Sequence, residues 1–218
     1  MIDIVVATRN RHKTREIQDI LGSKFLVRDL AAHPDIPEIF ESGISFEENA
    51  TLKALTASRQ LPALVIADDS GLEVDALGGA PGIYSARYAG ANGSDSAKID
   101  KVLSELARVG ATDDARRARF RCVVALARNG DLLETFEGTV EGRINDAARG
   151  HSGFGYDPIF IPDGFKQTFG ELPKELKNTI SHRAKAIRAL ADRLRRLESD
   201  AKAKEVVEEQ EEGPRPSG

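Results

Sequence analysis

At 218 residues, with 40% of them hydrophobic, the chain is long enough for one domain of ordinary size, and its one cysteine, Cys122, excludes an intrachain disulfide framework and accords with a reducing compartment. No apolar run reaches the ~20 residues that span a bilayer, and Met1-Ile2-Asp3-Ile4 lacks the basic region of a signal peptide, so a cytoplasmic protein with no membrane partner is expected. The net charge of −4 is uneven: residues 198–212 carry −5, Arg215 adds +1, and residues 1–197 are neutral, which argues against broad nucleic-acid binding.

The chain begins with a strand, Ile2-Asp3-Ile4-Val5-Val6-Ala7. The loop Thr8-Arg9-Asn10-Arg11-His12-Lys13 leads into Thr14 to Leu21, whose apolar residues fall at helical spacing and which Gly22 stops. Cations at a helix start oppose the helix dipole, so this cluster is either a solvated basic loop or a place where free amides and Lys13 hold an anion. It is not a P-loop, since Gly-Lys-Ser/Thr occurs nowhere in the chain. A second strand around Phe25-Leu26-Val27 precedes a proline-rich acidic loop containing Glu38 and Glu41. Ser45-Phe46-Glu47-Glu48 reads as a capping box opening a helix to about Arg59.

Ala63-Leu64-Val65-Ile66 reads as a buried strand, with Ala67-Asp68-Asp69-Ser70-Gly71 at its end. Asp-Asp-Ser-Gly is either turn chemistry or a pair of carboxylates holding a hard cation against substrate phosphates at a strand end. A glycine-rich loop, Gly78 to Tyr88, precedes a helix capped by Ser94 through Ile99, Val102, Leu103 and Leu106. From Arg119 the period becomes two, Asn129-Gly130 predicts a hairpin, and Leu132 to Glu137 and Thr139 to Ile144 continue an antiparallel meander. The fold class is therefore mixed α/β with a long sheet flanked by helices. Cys122, inside the alternating run, is a small buried hydrophobe.

Two late segments carry chemical groups. Gly153-Phe154-Gly155-Tyr156-Asp157-Pro158 is either a tight turn anchored by core aromatics or a loop for stacking on a flat ring. Ser181-His182-Arg183 opens the last helix, with Lys177 one turn earlier, and these donors suit a second anion or polar-ring site. One domain is expected over residues 1–200, followed by a disordered acidic tail over 201–218.

The six motifs Thr8 to Lys13, Ser45 to Ala50, Ala67 to Leu72, Gly78 to Gly82, Gly153 to Pro158 and Ser181 to Arg183 together resemble, in unchanged order from about residue 2 to 197, the inosine triphosphate pyrophosphatase family. The resemblance implies two lobes around a central mixed sheet with a nucleotide cleft between them, a homodimer, and Mg²⁺-dependent hydrolysis of ITP, dITP and XTP to the monophosphate and pyrophosphate. By position it puts the triphosphate loop on Thr8, Arg9, Asn10, Arg11, His12 and Lys13. The metal carboxylates fall on Glu41 and Asp69, with Asp69 also the general base, Asp68 alongside and Glu38 close to Glu41 in the loop. Ser70 matches a substrate contact, Phe154, Gly155, Tyr156 and Asp157 the base-binding loop, and Lys177, His182 and Arg183 the remaining contacts.

Arg9 stands where many relatives have glycine, and His151-Ser152 where a glycine-rich pair is common. Arg183 and His182 as donors predict preference for a 6-oxo purine over adenine. The alternative reading of the same motifs is a sensor that binds a purine triphosphate without cleaving it.

Overall fold

The computed structural model describes residues 2–211. Six strands form one mixed sheet in the order β2-β1-β3-β4-β5-β6. β1 (Ile2–Val6) lies parallel between β2 (Phe25–Asp29) and β3 (Leu64–Val74), and β4 (Arg117–Arg128), β5 (Asp131–Ile144) and β6 (Phe160–Pro162) add antiparallel to β3 in turn. The helices are α1 (Arg11–Leu21), α2 (Phe46–Ser58), α3 (Asp95–Arg108), α4 (Lys174–Ile180) and α5 (His182–Glu211).

Side-chain alternation along the strands decides which helix covers which face. Ile4, Val6, Ile66, Cys122, Val124 and Leu126 point toward α1 and α5, where Ile17, Ile187, Leu190 and Leu194 complete one core. The intervening Val5, Ala7, Val65, Ala67, Val123, Ala125 and Ala127 point toward α2, whose Ala50, Ala54 and Ala57 pack on them. The chemistry of β4 marks where α2 stops. Arg119 and Arg121, on that same face, are paired in the open with Glu141 and Glu137, whereas Val123 and Ala125 are buried. A third core, around Leu72, Val102, Phe120, Phe160 and Phe169, fills the other lobe beneath α3.

Local signals that the sequence carries in full are met. Ser45 Oγ accepts from Glu48 N and Ser94 Oγ from Ala97 N at the starts of α2 and α3. Asn129 and Gly130 take φ +54° and +87° in the β4–β5 hairpin. Four expectations are corrected. α1 begins at Arg11 with Asn10 as its cap, so Arg11, His12 and Lys13 occupy its first turn instead of a loop. Thr139 to Ile144 is the far half of β5 and not a separate strand.

Asp68 and Asp69 do not sit in a turn. β3 runs straight through them because Val65 to Val74 pair without interruption with Ala127 to Ala118 of β4, and a ten-residue ladder outweighs local turn preference. The last helix also passes the expected boundary at residue 200, over Ala-, Lys- and Glu-rich sequence of high helix propensity. The remainder of the expected tail, 212–218, lies outside the described residues.

Candidate active site

β1 pairs with β3 only as far as Val6 opposite Ile66, so beyond that point β3 continues with no strand along its β1-side edge. The edge from Asp68 to Gly71 is therefore met by side chains and loop atoms instead of a strand, among them Lys53 Nζ on the Asp68 carbonyl and Gly82 and Ser85 against Gly71. A cavity of about 250 Å³ opens on it. Its floor includes Asp69, Ser70 and Gly71, one end is lined by Asn10, Lys13 and Glu41, and the other by Phe154 to Asp157, Lys177, His182 and Arg183. Gly71 is required by close approach: a Cβ there would lie 2.4 Å from the Gly82 carbonyl and 2.5 Å from Ser85 Oγ.

Because consecutive strand residues face opposite sides, the two aspartates do different work. Asp68 turns toward α5 and α1. Its carboxylate receives the Arg183 guanidinium at 2.9 Å, the Ser70 hydroxyl at 3.1 Å and the Lys13 ammonium at 3.1 Å. Burial alone would raise its pKa, but Lys13 and Arg183 hold it far below the carboxylate range. Asp68 is thus a fixed anion.

Asp69 turns toward α2. Lys53 Nζ donates to Asp69 Oδ1 at 3.1 Å, to Glu41 Oε1 at 2.6 Å and to the Asp68 carbonyl at 2.9 Å. Burial raises the Asp69 carboxyl and the Glu41 charge adds to it, against the pull of Lys53, and the net shift is upward. Asp69 Oδ2 is buried with no hydrogen-bond partner. Two hard carboxylates, one with an unsatisfied oxygen, on the wall of a cavity open to a ligand suit Mg²⁺, which takes one or two carboxylates and completes its shell with phosphate oxygens and water. Among the described residues no cluster of three His, Cys, Asp or Glu side chains forms a self-sufficient metal cage.

Of the predicted phosphate loop, Asn10 and Lys13 line this cavity, as does His12, whose ring stacks on Phe154 at 5.7 Å. Thr8 and Arg9 line an adjoining cavity of about 580 Å³ that shares Asn10, Lys13 and Glu41. Arg9 donates to the carbonyls of Leu30 and Ile36, so its charge also ties down the loop after β2. Arg11 is exposed and lines neither cavity. Glu38 is exposed, whereas Glu41 reaches Lys53 and Arg87.

At the opposite end the aromatic loop is both of the things its sequence allowed. Tyr156 and Asp157 are buried anchors: the Tyr156 hydroxyl donates to the Ser85 carbonyl at 2.9 Å, and Asp157 accepts from Phe154 N at 2.8 Å and from Lys177 at 2.6 Å. Gly153 takes φ +77°, where a Cβ would lie 2.0 Å from Asp157 Oδ2. Phe154 and Gly155 remain at the cavity, with Lys177 Nζ 5.0 Å and Arg183 Cζ 5.6 Å from the Phe154 ring centre.

Arg183 is almost fully committed inside the protein. Its Nε and Nη2 donate to Asp68, Nη2 also to Ser70, and Nη1 to Glu16. Glu16 spans Arg183 and Lys177, which together hold its carboxyl below its ordinary value against burial. His182 is buried, stacked on Phe120 at 4.7 Å and 10°, with Nδ1 unpartnered. Burial, reinforced by Arg183 and Lys177, pushes its pKa well down, so it is a neutral imidazole. The expectation of Arg183 as a free donor to the base therefore changes: most of its donors frame the pocket instead.

The sequence of the Ham1 family, expressed as a family model, matches residues 4–193. The chain belongs to the Ham1 family. It is 50% identical over 192 residues to a dITP/XTP pyrophosphatase of Shouchella clausii, covering 88% of this chain and 96% of that protein, and 47% identical to one of Bacillus subtilis with the same coverage of each. A HAM1 protein from Coxiella burnetii has the same fold, with a TM-score of 0.80 at 40% identity over 90% of this chain and all of that one. The Staphylococcus aureus Ham1 protein aligns at 0.77 and 43% identity over 88% of this chain and 98% of its own.

Two participants escaped the sequence reading. Lys53 left a usable signal, a lysine on the buried stripe Phe46, Asn49, Ala50, Lys53, Ala54, Ala57 of α2 at helical spacing. Glu16 left little, because its partners Lys177 and Arg183 lie more than 150 residues away.

Proposed function

We propose that this Ham1-family enzyme hydrolyses the noncanonical purine triphosphates ITP, dITP and XTP to monophosphate and pyrophosphate. The observation that carries the reading is one cavity with a cationic and carboxylate end, Asn10, Lys13, Glu41 and Asp69, the two carboxylates backed by Lys53, and an aromatic, donor-rich end, Phe154, Lys177, His182 and Arg183. A triphosphate fits the first and a purine the second. The dITP/XTP pyrophosphatase names of its relatives support the substrate class.

Each residue's role follows from charge and exposure. Lys13, presented on the first turn of α1, neutralises phosphate oxygens, with the helix start's positive dipole end behind it. Lys53, whose pKa is raised against burial by Asp69 and Glu41, stays a cation beside the reacting phosphate. Asp69 presents an unpartnered oxygen and an upward-shifted pKa, so it accepts a proton from water as that water attacks phosphorus. Glu41 and Asp69 would hold Mg²⁺, which supplies further neutralisation of phosphate charge when bound. No covalent intermediate is needed, and Cys122, buried with its thiol pushed up to about 12, is no nucleophile.

At the other end Phe154 offers its ring to the base. The 6-oxo preference rests on Lys177 and the remaining Arg183 N–H, since Phe154 N and Gly155 N are given to Asp157 and Asp95, and ITP and XTP are expected well above GTP, with ATP lowest. Among the described residues no helix is long and apolar enough to cross a membrane. A cytoplasmic location fits a nucleotide-pool enzyme with one buried thiol. A homodimer fits the family resemblance, with Phe40 and Ile44, 81% and 85% exposed, offering apolar surface to cover. Sedimentation velocity decides the oligomer.

The deciding assay is incubation with ITP and Mg²⁺ followed by separate assays for pyrophosphate and orthophosphate. Pyrophosphate is expected. Orthophosphate alone would mean a phosphatase, and binding with neither product would mean the sensor.

A further inference from the structure

Most anchors of the aromatic loop sit within it or directly behind it: Asp157 accepts from Phe154 N and Lys177, Gly170 N donates to the Asp157 carbonyl, and Tyr156 is fixed to Ser85. One comes from across the cavity. Asp95, the first residue of α3, accepts a hydrogen bond from Gly155 N at 2.7 Å, joining parts of the chain 60 residues apart. α3 is a rigid platform for this contact, since Ile99, Val102 and Leu106 are buried in the second lobe and Ser94 caps its start. The other Asp95 oxygen is held by Lys98 Nζ at 3.0 Å, which fixes the carboxylate's rotamer. Asp95, Lys98 and Gly155 all line the cavity.

We propose that Asp95 is a positioning residue for base recognition, holding the Phe154–Gly155 lip of the loop at the spacing a purine ring requires; this rests on the pyrophosphatase reading above. Gly155 stands at φ +62° with open space where a Cβ would lie, and its amide is held across the cavity by Asp95. The Asp95 carboxyl is shifted down, because the Gly155 amide and Lys98 outweigh the burial that would raise it. Asp95 touches neither Lys53 nor Asp69, so it acts on how the base is seated and not on the water.

The test uses the full-length enzyme with ITP and ATP, together with hydrogen–deuterium exchange of the segment 150–158. Asp95→Ala is expected to speed exchange in that segment, raise KM for ITP about 3- to 10-fold, lower the ITP-over-ATP ratio and leave kcat within about twofold, the scale of one partly exposed hydrogen bond. Asp95→Asn, whose amide oxygen still accepts from Gly155 N, is expected to restore all of these. Unchanged exchange or KM in Asp95→Ala overturns the proposal, and so does an equal defect in Asp95→Asn, which would make charge and not the tether responsible. If Asp95→Ala does not fold, Asp95→Glu keeps the charge and displaces the carboxylate. Wild-type KM and exchange there overturn the proposal equally, and faster exchange with raised KM supports it. A wild type that releases no pyrophosphate from ITP defeats the pyrophosphatase reading instead, a result read before any variant is compared.

Discussion

The two ends of the cavity are built from the same kinds of charged side chain and behave differently. At the base end, Glu16, Asp68, Asp157, Lys177 and Arg183 form a closed network, with Arg183 only 2% exposed and nearly every strong donor given to a carboxylate. At the phosphate end, Lys53 is shared between Glu41 and Asp69, and Asp69 Oδ2 is buried with no partner, whereas Asp68 Oδ1, also without a hydrogen bond, has the Lys13 ammonium at 3.1 Å. A satisfied network in a poorly solvated interior is stiff, and it fixes the shape that a base meets. An unsatisfied one retains the capacity to take a cation or a proton. Recognition is thus placed where the charges are spent, and chemistry where one is left over.

The sharpest way to break this contrast is Asp69→Asn. The amide can neither ligate Mg²⁺ as an anion nor accept the water's proton, and turnover is expected to fall about 10²- to 10⁴-fold with nucleotide affinity and thermal midpoint little changed. Steady-state kinetics with ITP, beside a binding isotherm, tests it. Near wild-type turnover would take Asp69 out of the chemistry, and Asp68, which points to the other face, could not replace it without leaving Arg183.

Arg183→Ala probes the closed end. Removing the guanidinium leaves Asp68 and Glu16 buried without it, and breaking a buried pair from one side costs about 3–5 kcal/mol. Urea denaturation is expected to show that loss, and a cost below ~1 kcal/mol would mean that the network is not a rigid frame.

A smaller effect sharpens the same point through pH. His182 is neutral when folded and has an ordinary pKa near 6.5 when unfolded, so below that pH the unfolded chain binds a proton that the native one refuses. Stability is therefore full above about pH 6.5 and falls as pH drops toward the depressed folded value, by at most ~1.4 kcal/mol per pH unit. Glu16 and Asp68, both held below their ordinary values, add their own losses only at more acid pH. Thermal melts between pH 7.5 and 5 are expected to slope less for His182→Gln than for the wild type. Parallel slopes would show that His182 protonates freely in the fold.

The smallest expected change is truncation after Asp200. Among the described side chains Leu197 is the last hydrophobic one packed on the core of β1, β3, β4, α1 and α5, so thermal midpoint and ITP turnover should hardly move. A large drop in either would show that the C-terminal turns of α5 dock.

The sequence by itself determined what depends on neighbours a few residues apart: the first strand, the serine caps of α2 and α3, the Asn129-Gly130 hairpin, and the motif series that matches the Ham1 family, because a cap or a two-residue turn is satisfied within its own segment. It also placed on the cavity wall Asn10, Lys13, Glu41, Asp69, Ser70, Phe154 and Lys177. Only the tertiary structure decided that Asp68 and Asp69 lie in mid-strand on opposite faces, since that follows from ten pairings with a strand some fifty residues later. Only it decided that Lys53 bridges Glu41 and Asp69, and that Arg183 spends its donors on Asp68 and on a glutamate 167 residues away. A charged side chain reads alike in any sequence, and whether it is free to meet a substrate depends on which distant chain segment is buried against it.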